Sequence, residues 1–185
     1  MNVTTKNLFE SLQKVRAKNP LVHNITNLVV MDFSANALLS LGASPVMAHA
    51  TQEVESFAKI AGALVINIGT LSSAWIESMQ IALKSANQNN VPTVLDPVGA
   101  GATTFRTETV NALLSTGKFS VIRGNASEIM SLTSSLSNTK GVDSTAKSSD
   151  AVENAKILSN KTGSVVVVSG EKDFIVNGNQ VTSLE

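Results

Sequence analysis

The residues in this chain that are best suited to chemistry stand directly after short apolar runs. There are four such groups: residues 69–70 (GT), 96–101 (DPVGAG), 123–125 (RGN) and 169–171 (SGE). In an open α/β sheet, ligands bind beyond the carboxyl ends of the strands, so these groups are expected to converge on one crevice. An arginine there can neutralise phosphate, and carboxylates can hold Mg²⁺. The combination favours binding of a phosphorylated nucleotide and phosphoryl transfer.

Each of these residues taken alone also has a purely structural interpretation. In that interpretation, Asp96 before its proline is a turn former and Arg123 forms a surface ion pair. Residues 99–101 are an ordinary loop. The functional interpretation therefore depends on the convergence of the whole set.

The nucleotide-binding sequences that are easiest to recognise are absent. The chain contains no G-x-x-x-x-G-K-[ST] and no strand-linked G-x-G-x-x-G, which excludes a P-loop NTPase and gives no support to a dinucleotide site. Phosphates would instead be held by backbone amides of a glycine-rich turn at a helix N-terminus. The best candidate for that turn is the segment 99–104.

The elements that must position these residues alternate along the chain. Apolar, β-branched runs predict buried strands, and runs with apolar residues three or four apart predict helices, a pattern typical of a mostly parallel sheet with helices on both faces. The strand candidates are residues 64–68, 94–96, 119–122 and 165–168, with weaker ones at 21–22 and 45–47; the helix candidates are 4–18, 28–41, 72–87, 104–114 and 150–159. Residues 173–181 predict a β-hairpin around Asn177-Gly178, and residues 131–149 predict an irregular surface loop.

Composition narrows the functional class. Fourteen basic residues balance fourteen acidic ones, which argues against nucleic acid as a partner, and the absence of cysteine excludes disulfides and thiolate zinc sites. The sequence shows no signal peptide and no membrane span, so we expect a cytoplasmic protein that acts on a small molecule.

Three further residues have no chemical pattern of their own. His23 and His49 lack ligand-like spacing, so a zinc site is not expected, and His49 is expected to cap a strand end or line a pocket. Met47 follows a strand candidate and on composition alone belongs to a core.

Five segments, in order and at compatible spacing, resemble the hydroxyethylthiazole kinase family. They are residues 24–27 (NITN), 42–48 (GASPVMA), 67–71 (NIGTL), 96–103 (DPVGAGAT) and 122–129 (IRGNASEI). The resemblance implies a single ribokinase-like kinase domain over residues 1–185. It further implies a homotrimer with active sites between subunits, and ATP- and Mg²⁺-dependent phosphorylation of 4-methyl-5-(2-hydroxyethyl)thiazole in thiamine salvage.

The resemblance also assigns residues to roles. Met47, Asn27, Gly69 and Thr70 correspond to the thiazole pocket, Arg123 to the ATP-phosphate arginine, and Ser169 to a nucleotide-binding threonine. Asn125 and Glu128 correspond to the N-x-x-E element that, with Asp96, organises Mg²⁺ and phosphate.

The same resemblance leads us to expect a chain truncated at its C-terminus. Family members continue into a glycine-rich segment that ends in Cys or Asp and is associated with activating the substrate hydroxyl, so we assign no catalytic base within these residues and expect little kinase activity from them. Two alternatives stay open: another ribokinase-like kinase of small alcohols, and a non-catalytic protein that retains a thiazole pocket.

Overall fold

The structure is a computed structural model, and it describes residues 4–137 and 147–184. A single eight-stranded sheet runs through these residues in the order β2-β1-β3-β4-β5-β6-β7-β8. The strands are β1 (Leu21–Ile25), β2 (Ser44–Val46), β3 (Ala63–Asn67), β4 (Thr93–Asp96), β5 (Val121–Asn125), β6 (Val165–Ser169), β7 (Asp173–Asn177) and β8 (Gln180–Leu184). The strands β1 to β6 are parallel to one another. The strand β7 pairs antiparallel with both β6 and β8, so the predicted mostly parallel α/β sheet is confirmed.

Helices connect the parallel strands. They are α1 (Thr5–Lys18), α2 (Met31–Leu41), α3 (Val54–Ile60), α4 (Ser73–Gln88), α5 (Thr104–Thr116), α6 (Ala126–Ser137) and α7 (Val152–Thr162), with a short 3₁₀ helix at Ser148–Ala151. The helices α3 to α7 pack side by side in chain order, and α1 packs against α2. None of these helices is both long and apolar enough to span a membrane, within the residues described.

Local sequence explains where several helices begin and end. Ser72 caps α4 by accepting a hydrogen bond from the Trp75 amide at 3.3 Å. Gly42 ends α2 with a φ of 95°, a left-handed conformation that suits glycine. These signals identify the elements, although their ends differ from prediction by up to three residues.

The core lies on one face of the sheet. Ile66, Leu95, Ile122 and Val166 occupy adjacent strands and are all fully buried. The valine run of β6 was predicted to be a buried strand, but its burial alternates: Val166 and Val168 are fully buried, whereas Val165 and Val167 keep some exposure. The opposite face is therefore less completely covered, because successive side chains in a strand point to opposite faces.

One prediction of local structure was wrong, and the predicted hairpin is confirmed with its turn one residue later. Of the predicted surface loop, residues 131–137 belong to α6 and residues 148–151 form the 3₁₀ helix, while residues 138–146 lie outside the described part. The hairpin is present, but Asn177 pairs with Gln180, so its turn residues are Gly178 and Asn179. Gly178 supplies the positive φ of 57° that the tight turn needs.

Candidate functional site

The predicted site residues meet at the carboxyl ends of β1, β3, β4, β5 and β6. Asn67 and Asp96 are partners in the register of β3 and β4, so their side chains emerge next to each other. Arg123 lies two residues beyond Val121, which pairs with Val94, and Asp96 lies the same distance beyond Val94. Strand register alone therefore brings an amide, a carboxylate and a guanidinium into one row.

A series of hydrogen bonds crosses the crevice along this row. Asn27 Oδ1 accepts from the amides of Val29 and Val30, and Asn27 Nδ2 donates to Asn67 Oδ1 at 2.9 Å. Asn67 Nδ2 then donates to Asp96 Oδ2 at 2.8 Å. Every hydrogen bond in the series donates toward Asp96. Their dipoles are therefore aligned from the start of α2 to the Asp96 carboxylate.

The predicted thiazole residues surround the beginning of this series. Gly69 donates its amide to Asn67 Oδ1 at 2.9 Å, and Thr70 Oγ1 accepts from the Leu28 amide at 3.0 Å. A Cβ at position 69 would lie 2.8 Å from Asn27 Cβ, so the loop requires glycine there for close approach. Asn27, Gly69 and Thr70 thus form one contiguous wall.

Met47 directly follows β2, the neighbour of the strand that leads to that wall. Its preceding residue, Val46, pairs with His23 on β1, the strand that leads to Asn27. The loop is held by two histidines, because His23 Nε2 bonds Ala48 O at 2.8 Å and His49 Nδ1 bonds Met47 O at 3.1 Å. The Met47 side chain keeps partial exposure instead of belonging to the buried core.

Asp96 is a partly buried carboxylate at the centre of the crevice. Burial raises its pKa above the ordinary value, and the nearby Glu128 charge adds to that rise; the Arg123 charge and the Asn67 hydrogen bond oppose it. Arg123 Nη1 lies 3.9 Å from Asp96 Oδ2, and 53% of the Arg123 side chain is exposed. The guanidinium is therefore held loosely and faces open space.

Asn125 and Glu128 form the start of α6. Asn125 Oδ1 accepts from the Glu128 amide at 2.9 Å, and Glu128 Oε2 accepts from the Asn125 amide at 2.8 Å, which is a reciprocal capping arrangement. Glu128 Oε1 accepts from the Gly99 amide at 2.9 Å. Both Glu128 oxygens thus hold backbone amides, and the residue is 8% exposed.

The predicted phosphate-binding turn is occupied by its own hydrogen bonds. The Gly99 amide donates to Glu128, and the Gly101 amide donates to Thr107 Oγ1 at 3.0 Å. The Ala100 and Ala102 amides donate to Pro97 O and Gly99 O at 2.9 and 3.0 Å. These four amides are therefore already used within the turn, which counts against a phosphate-binding role for residues 99–102 of the predicted segment 99–104.

Arg106 is a site residue that the sequence reasoning missed. Its Nη1 donates to Val98 O at 2.6 Å and to Ile68 O at 3.0 Å, and its Nη2 donates to Gly69 O at 2.8 Å. A positive side chain in the first turn of α5 opposes the helix dipole. That local conflict was the signal available in the sequence, because such conflicts are often functional.

A cavity of about 730 Å³ opens beside the α6 N-terminus. It is lined by Asn125, Ser127, Ser148, Ser169 and Gly170, among others. Ser169 Oγ also donates to Gly124 O at 3.3 Å, which places the hydroxyl at the end of β6. Asn125 and Ser169 therefore share this cavity, whereas Ser148 was missed because its segment was predicted to be irregular.

Within the described ranges 4–137 and 147–184, no group of three or more His, Cys, Asp or Glu residues could hold a metal. Asp96 and Glu128 are carboxylates at the ends of β4 and β5, and Glu171 lines the cavity beside α6. Mg²⁺ commonly uses one or two carboxylates together with phosphate oxygens and water, so this donor set fits magnesium delivered with a nucleotide.

Comparison with known proteins agrees with this geometry. A model of the hydroxyethylthiazole kinase family matches residues 12–185. A hydroxyethylthiazole kinase of Leptospira biflexa is 55% identical over 179 residues, covering 97% of this chain and 67% of the relative. The chain spans about two thirds of the length of the curated relatives it matches.

Solved structures extend the comparison to the fold. The hydroxyethylthiazole kinase protein of Pyrococcus horikoshii superposes with a TM-score of 0.87 at 44% identity, over 97% of this chain and 66% of that one. A ribokinase-like superfamily protein of Enterococcus faecalis superposes with a TM-score of 0.58 at 13% identity, over 88% and 61%, which shows the shared ribokinase-like fold. The sequence match and the close structural match lead to one conclusion: the chain belongs to the hydroxyethylthiazole kinase family.

Proposed function

We propose that the protein phosphorylates the hydroxyl of 4-methyl-5-(2-hydroxyethyl)thiazole, with ATP as the phosphoryl donor and Mg²⁺ as cofactor, in thiamine biosynthesis or salvage. The observation that carries the proposal is the hydrogen-bonded series Asn27, Asn67, Asp96. It joins the wall formed by Asn27, Gly69 and Thr70 on one side to the Asp96 carboxylate and the half-exposed Arg123 guanidinium on the other. This is the layout that transfer between an alcohol and a phosphate requires.

The thiazole side of the crevice is formed by Met47, Asn27, Gly69 and Thr70. Met47 offers a polarisable thioether, which suits a sulfur-containing aromatic ring. Gly69 lets the Asn27 side chain approach the loop closely, and the Thr70 hydroxyl is fixed by the Leu28 amide. A flat heterocycle carrying a short alcohol fits this combination of surfaces.

The phosphate side is formed by Asp96, Arg123, Asn125 and Glu128. Mg²⁺ bound with the nucleotide would supply charge neutralisation of the phosphates and would be held by Asp96, which has the more exposed carboxylate. Glu128 fixes the loops behind it through its two amide contacts. Arg123 is free to bind phosphate oxygens because its contact with Asp96 is long.

The nucleotide would occupy the cavity of about 730 Å³ beside α6. Ser169 and Asn125 line it, and the helix N-terminus contributes a positive dipole end toward bound phosphates. The charged side chains of the lining are Lys147, Lys172 and Glu171, and this balance of two positive charges against one negative charge favours an anionic ligand.

A homotrimer and a cytoplasmic location are part of the same proposal. Leu28, Val29 and Phe33 are 67%, 84% and 76% exposed. The Leu28 amide bonds Thr70 and the Val29 amide bonds Asn27. Such an apolar group on the surface supports burial against another copy of the chain beside the thiazole pocket. Sedimentation equilibrium of the chain and of Phe33→Glu tests this, with a monomeric wild-type chain as the opposing result.

Binding and turnover should be measured separately to test the proposed function. Isothermal titration of the chain with the thiazole alcohol, and then with Mg-ATP, is expected to give one site each. Transfer of radiolabelled phosphate to the alcohol is then followed, and little transfer is expected from residues 1–185 alone, because we assign no catalytic base within them. Adenosine and pyridoxal serve as competing alcohols, and preference for either would contradict the thiazole assignment.

Two variants distinguish the two sides of the site. Met47→Ala should weaken thiazole binding and leave nucleotide binding intact, whereas Arg123→Met should weaken nucleotide binding by about tenfold or more, as expected for a lost charged hydrogen bond. Arg16→Met on α1 is the matched control. Equal effects of Arg123→Met and Arg16→Met would contradict the proposed role of Arg123.

A further inference from the structure

One peptide bond in the crevice is held at both ends by opposite charges. The carbonyl of Val98 accepts from Arg106 Nη1 at 2.6 Å, and the amide of Gly99, the other end of the same peptide, donates to Glu128 Oε1 at 2.9 Å. The guanidinium and the carboxylate therefore polarise this peptide in the same sense. Hydrogen bonds to charged groups are stronger than neutral ones, so this peptide plane is firmly oriented.

Arg106 also holds the loop after β3. Its remaining contacts are to Ile68 O at 3.0 Å and Gly69 O at 2.8 Å. Among the residues described, no ion pair of 4.0 Å or less includes Arg106. The guanidinium therefore donates its hydrogen bonds to carbonyls of two loops. These bonds fix the distance between the Gly69 loop and the Val98 loop.

Glu128 completes the arrangement from the other side. Its second oxygen holds the Asn125 amide at 2.8 Å, so it links the loop after β4 to the start of α6. It is 8% exposed, which limits the solvent that competes for these contacts. Together, Arg106 and Glu128 tie the ends of β3, β4 and β5 to one another through a single peptide.

The conformation of the loop depends on that peptide. Gly99 has a φ of 72°, and a Cβ there would lie 3.2 Å from Arg106 Cδ. A peptide that precedes such a glycine can reorient at little steric cost unless its ends are held. The two charged contacts are what select the observed orientation.

We infer that Arg106 and Glu128 are positioning residues that act as one unit through the Val98–Gly99 peptide, setting the spacing between the alcohol side and the phosphate side of the crevice. The functional part of this inference rests on the proposed kinase function. The geometric part does not, because it concerns the loops alone. A displacement of about 1 Å in reacting groups can cost on the order of a hundredfold in rate, so such a unit has a large effect on turnover.

The geometric part is tested on the chain without ligands. Glycine labelled with ¹⁵N reports on eleven residues only, so the Gly99 amide is readily assigned. Glu128→Gln removes the charged acceptor and should shift the Gly99 amide resonance directly. Arg106→Lys should shift it in the same direction and speed its hydrogen exchange, although Arg106 makes no contact with that amide.

The functional part is tested by a double-mutant cycle in thiazole-alcohol and Mg-ATP affinity. Each single variant is expected to weaken binding by about tenfold, as for loss of charged hydrogen bonds. The double variant is expected to be little worse than the poorer single one, because residues that act as a unit are not additive. Arg16→Lys and Glu108→Gln, at exposed positions on α1 and α5, are the matched controls.

Two results would decide against the inference. An unchanged Gly99 resonance in Arg106→Lys would show that the peptide does not transmit the contact. Additive losses of affinity would show that the two residues act separately. Absence of ligand binding by the wild-type chain would count against the proposed function alone, since the Gly99 measurements would still support or overturn the coupling.

Discussion

Asn67 donates from Nδ2 to Asp96 Oδ2 at 2.8 Å while its Oδ1 accepts from both Asn27 Nδ2 and the Gly69 amide. One buried amide thus serves the wall of the alcohol pocket and the carboxylate of the phosphate side. Its orientation is fixed, because reversing the amide would bring its donor against the Asn27 and Gly69 donors. Asn67 is 7% exposed, so none of these partners can readily be replaced by water.

Asn67→Asp is therefore expected to damage both sides of the crevice at once. The new carboxylate still accepts from Asn27 and Gly69, but it has no donor for Asp96 and adds a like charge beside it. We expect a loss of about 1–3 kcal/mol in unfolding free energy, typical of an unsatisfied or repelled buried group. Urea unfolding and titration with thiazole alcohol measure the two effects. Asn111→Asp on α5 is the control, and equal stability losses would contradict the special role of Asn67.

Asp96→Asn is expected to stabilise the fold while weakening nucleotide binding. Burial raises the pKa of Asp96, so the native state holds this proton more tightly than the unfolded chain does. The wild-type chain therefore loses stability as pH rises from below 3.8 through the raised native pKa, and the asparagine variant does not. The stability gain of the variant should be absent in acid and present at neutral pH.

Unfolding free energies at several pH values from 3.5 to 8 check this prediction, together with Mg-ATP titration at neutral pH. The exposed Asp32→Asn variant is the control for loss of a charge. If Asp96→Asn were less stable than wild type at neutral pH, the opposing contributions of Arg123 and the Asn67 hydrogen bond would outweigh burial.

His23 is expected to make the fold sensitive to mild acid. Burial is the main reason that its pKa is lowered from 6.5, and its Nδ1 has no hydrogen-bond partner in the structure. Between the lowered native pKa and 6.5, the unfolded chain therefore binds a proton at His23 that the native state does not bind. Stability is fully present above pH 6.5 and falls as the pH decreases toward the lowered native pKa.

His23→Gln should reduce the dependence of the unfolding free energy on pH below 6.5, because glutamine cannot titrate yet retains a donor for Ala48 O. The same loop carries Met47, so thiazole affinity should lose its dependence on pH in parallel. His49 is the other histidine of the chain and is exposed, which makes His49→Gln the matched control. If the pH dependence of the unfolding free energy persisted in His23→Gln and disappeared in His49→Gln, His49 and not His23 would be its source.

Much of the fold was predictable because its signals are local. The run of valines in β6, the apolar runs of β3 and β4, and the capping residues Ser72 and Gly42 each act within a few positions of the chain. The rule that ligands bind beyond parallel strands then placed Asp96, Arg123 and Ser169 at one end of the sheet. Strand register, which follows from the buried pattern, brought the first two within 3.9 Å.

The parts that were missed depend on contacts between distant segments. Arg106 acts on carbonyls 8 to 38 residues away, and nothing in its own turn specifies those partners. The closure of the 99–102 turn likewise depends on Glu128 and Thr107, so the glycines resembled a phosphate cradle until their acceptors were known. The helical part of residues 131–137 was hidden by serine and threonine, which favour turns unless tertiary packing overrides them.

Gly101→Ala is expected to be the more damaging of two glycine substitutions that share one backbone requirement. Gly101 and Gly163 have φ values of 90° and 72°, so alanine at either position should lose about 1–2 kcal/mol through the left-handed conformation alone. At Gly163 a Cβ meets nothing within 4 Å, whereas at Gly101 it would lie 2.7 Å from Ser131 Cβ. Overpacking of this kind adds about 1–3 kcal/mol, so Gly101→Ala should exceed Gly163→Ala by that amount.

Unfolding in urea measures the difference, and Ser131→Gly supplies its internal check. Removing the Ser131 side chain takes away the atoms that the new methyl group meets, so the double variant Gly101→Ala with Ser131→Gly should recover the steric part of the loss. The recovery must be compared with Ser131→Gly alone, because glycine inside α6 itself costs about 1 kcal/mol. Because the Gly101 turn is held by Glu128 and Thr107, Gly101→Ala should also weaken Mg-ATP binding, while Gly163→Ala, outside the crevice, should not. Equal losses of stability in Gly101→Ala and Gly163→Ala would mean that α6 moves to admit the methyl group and that the turn is not rigidly seated on Ser131.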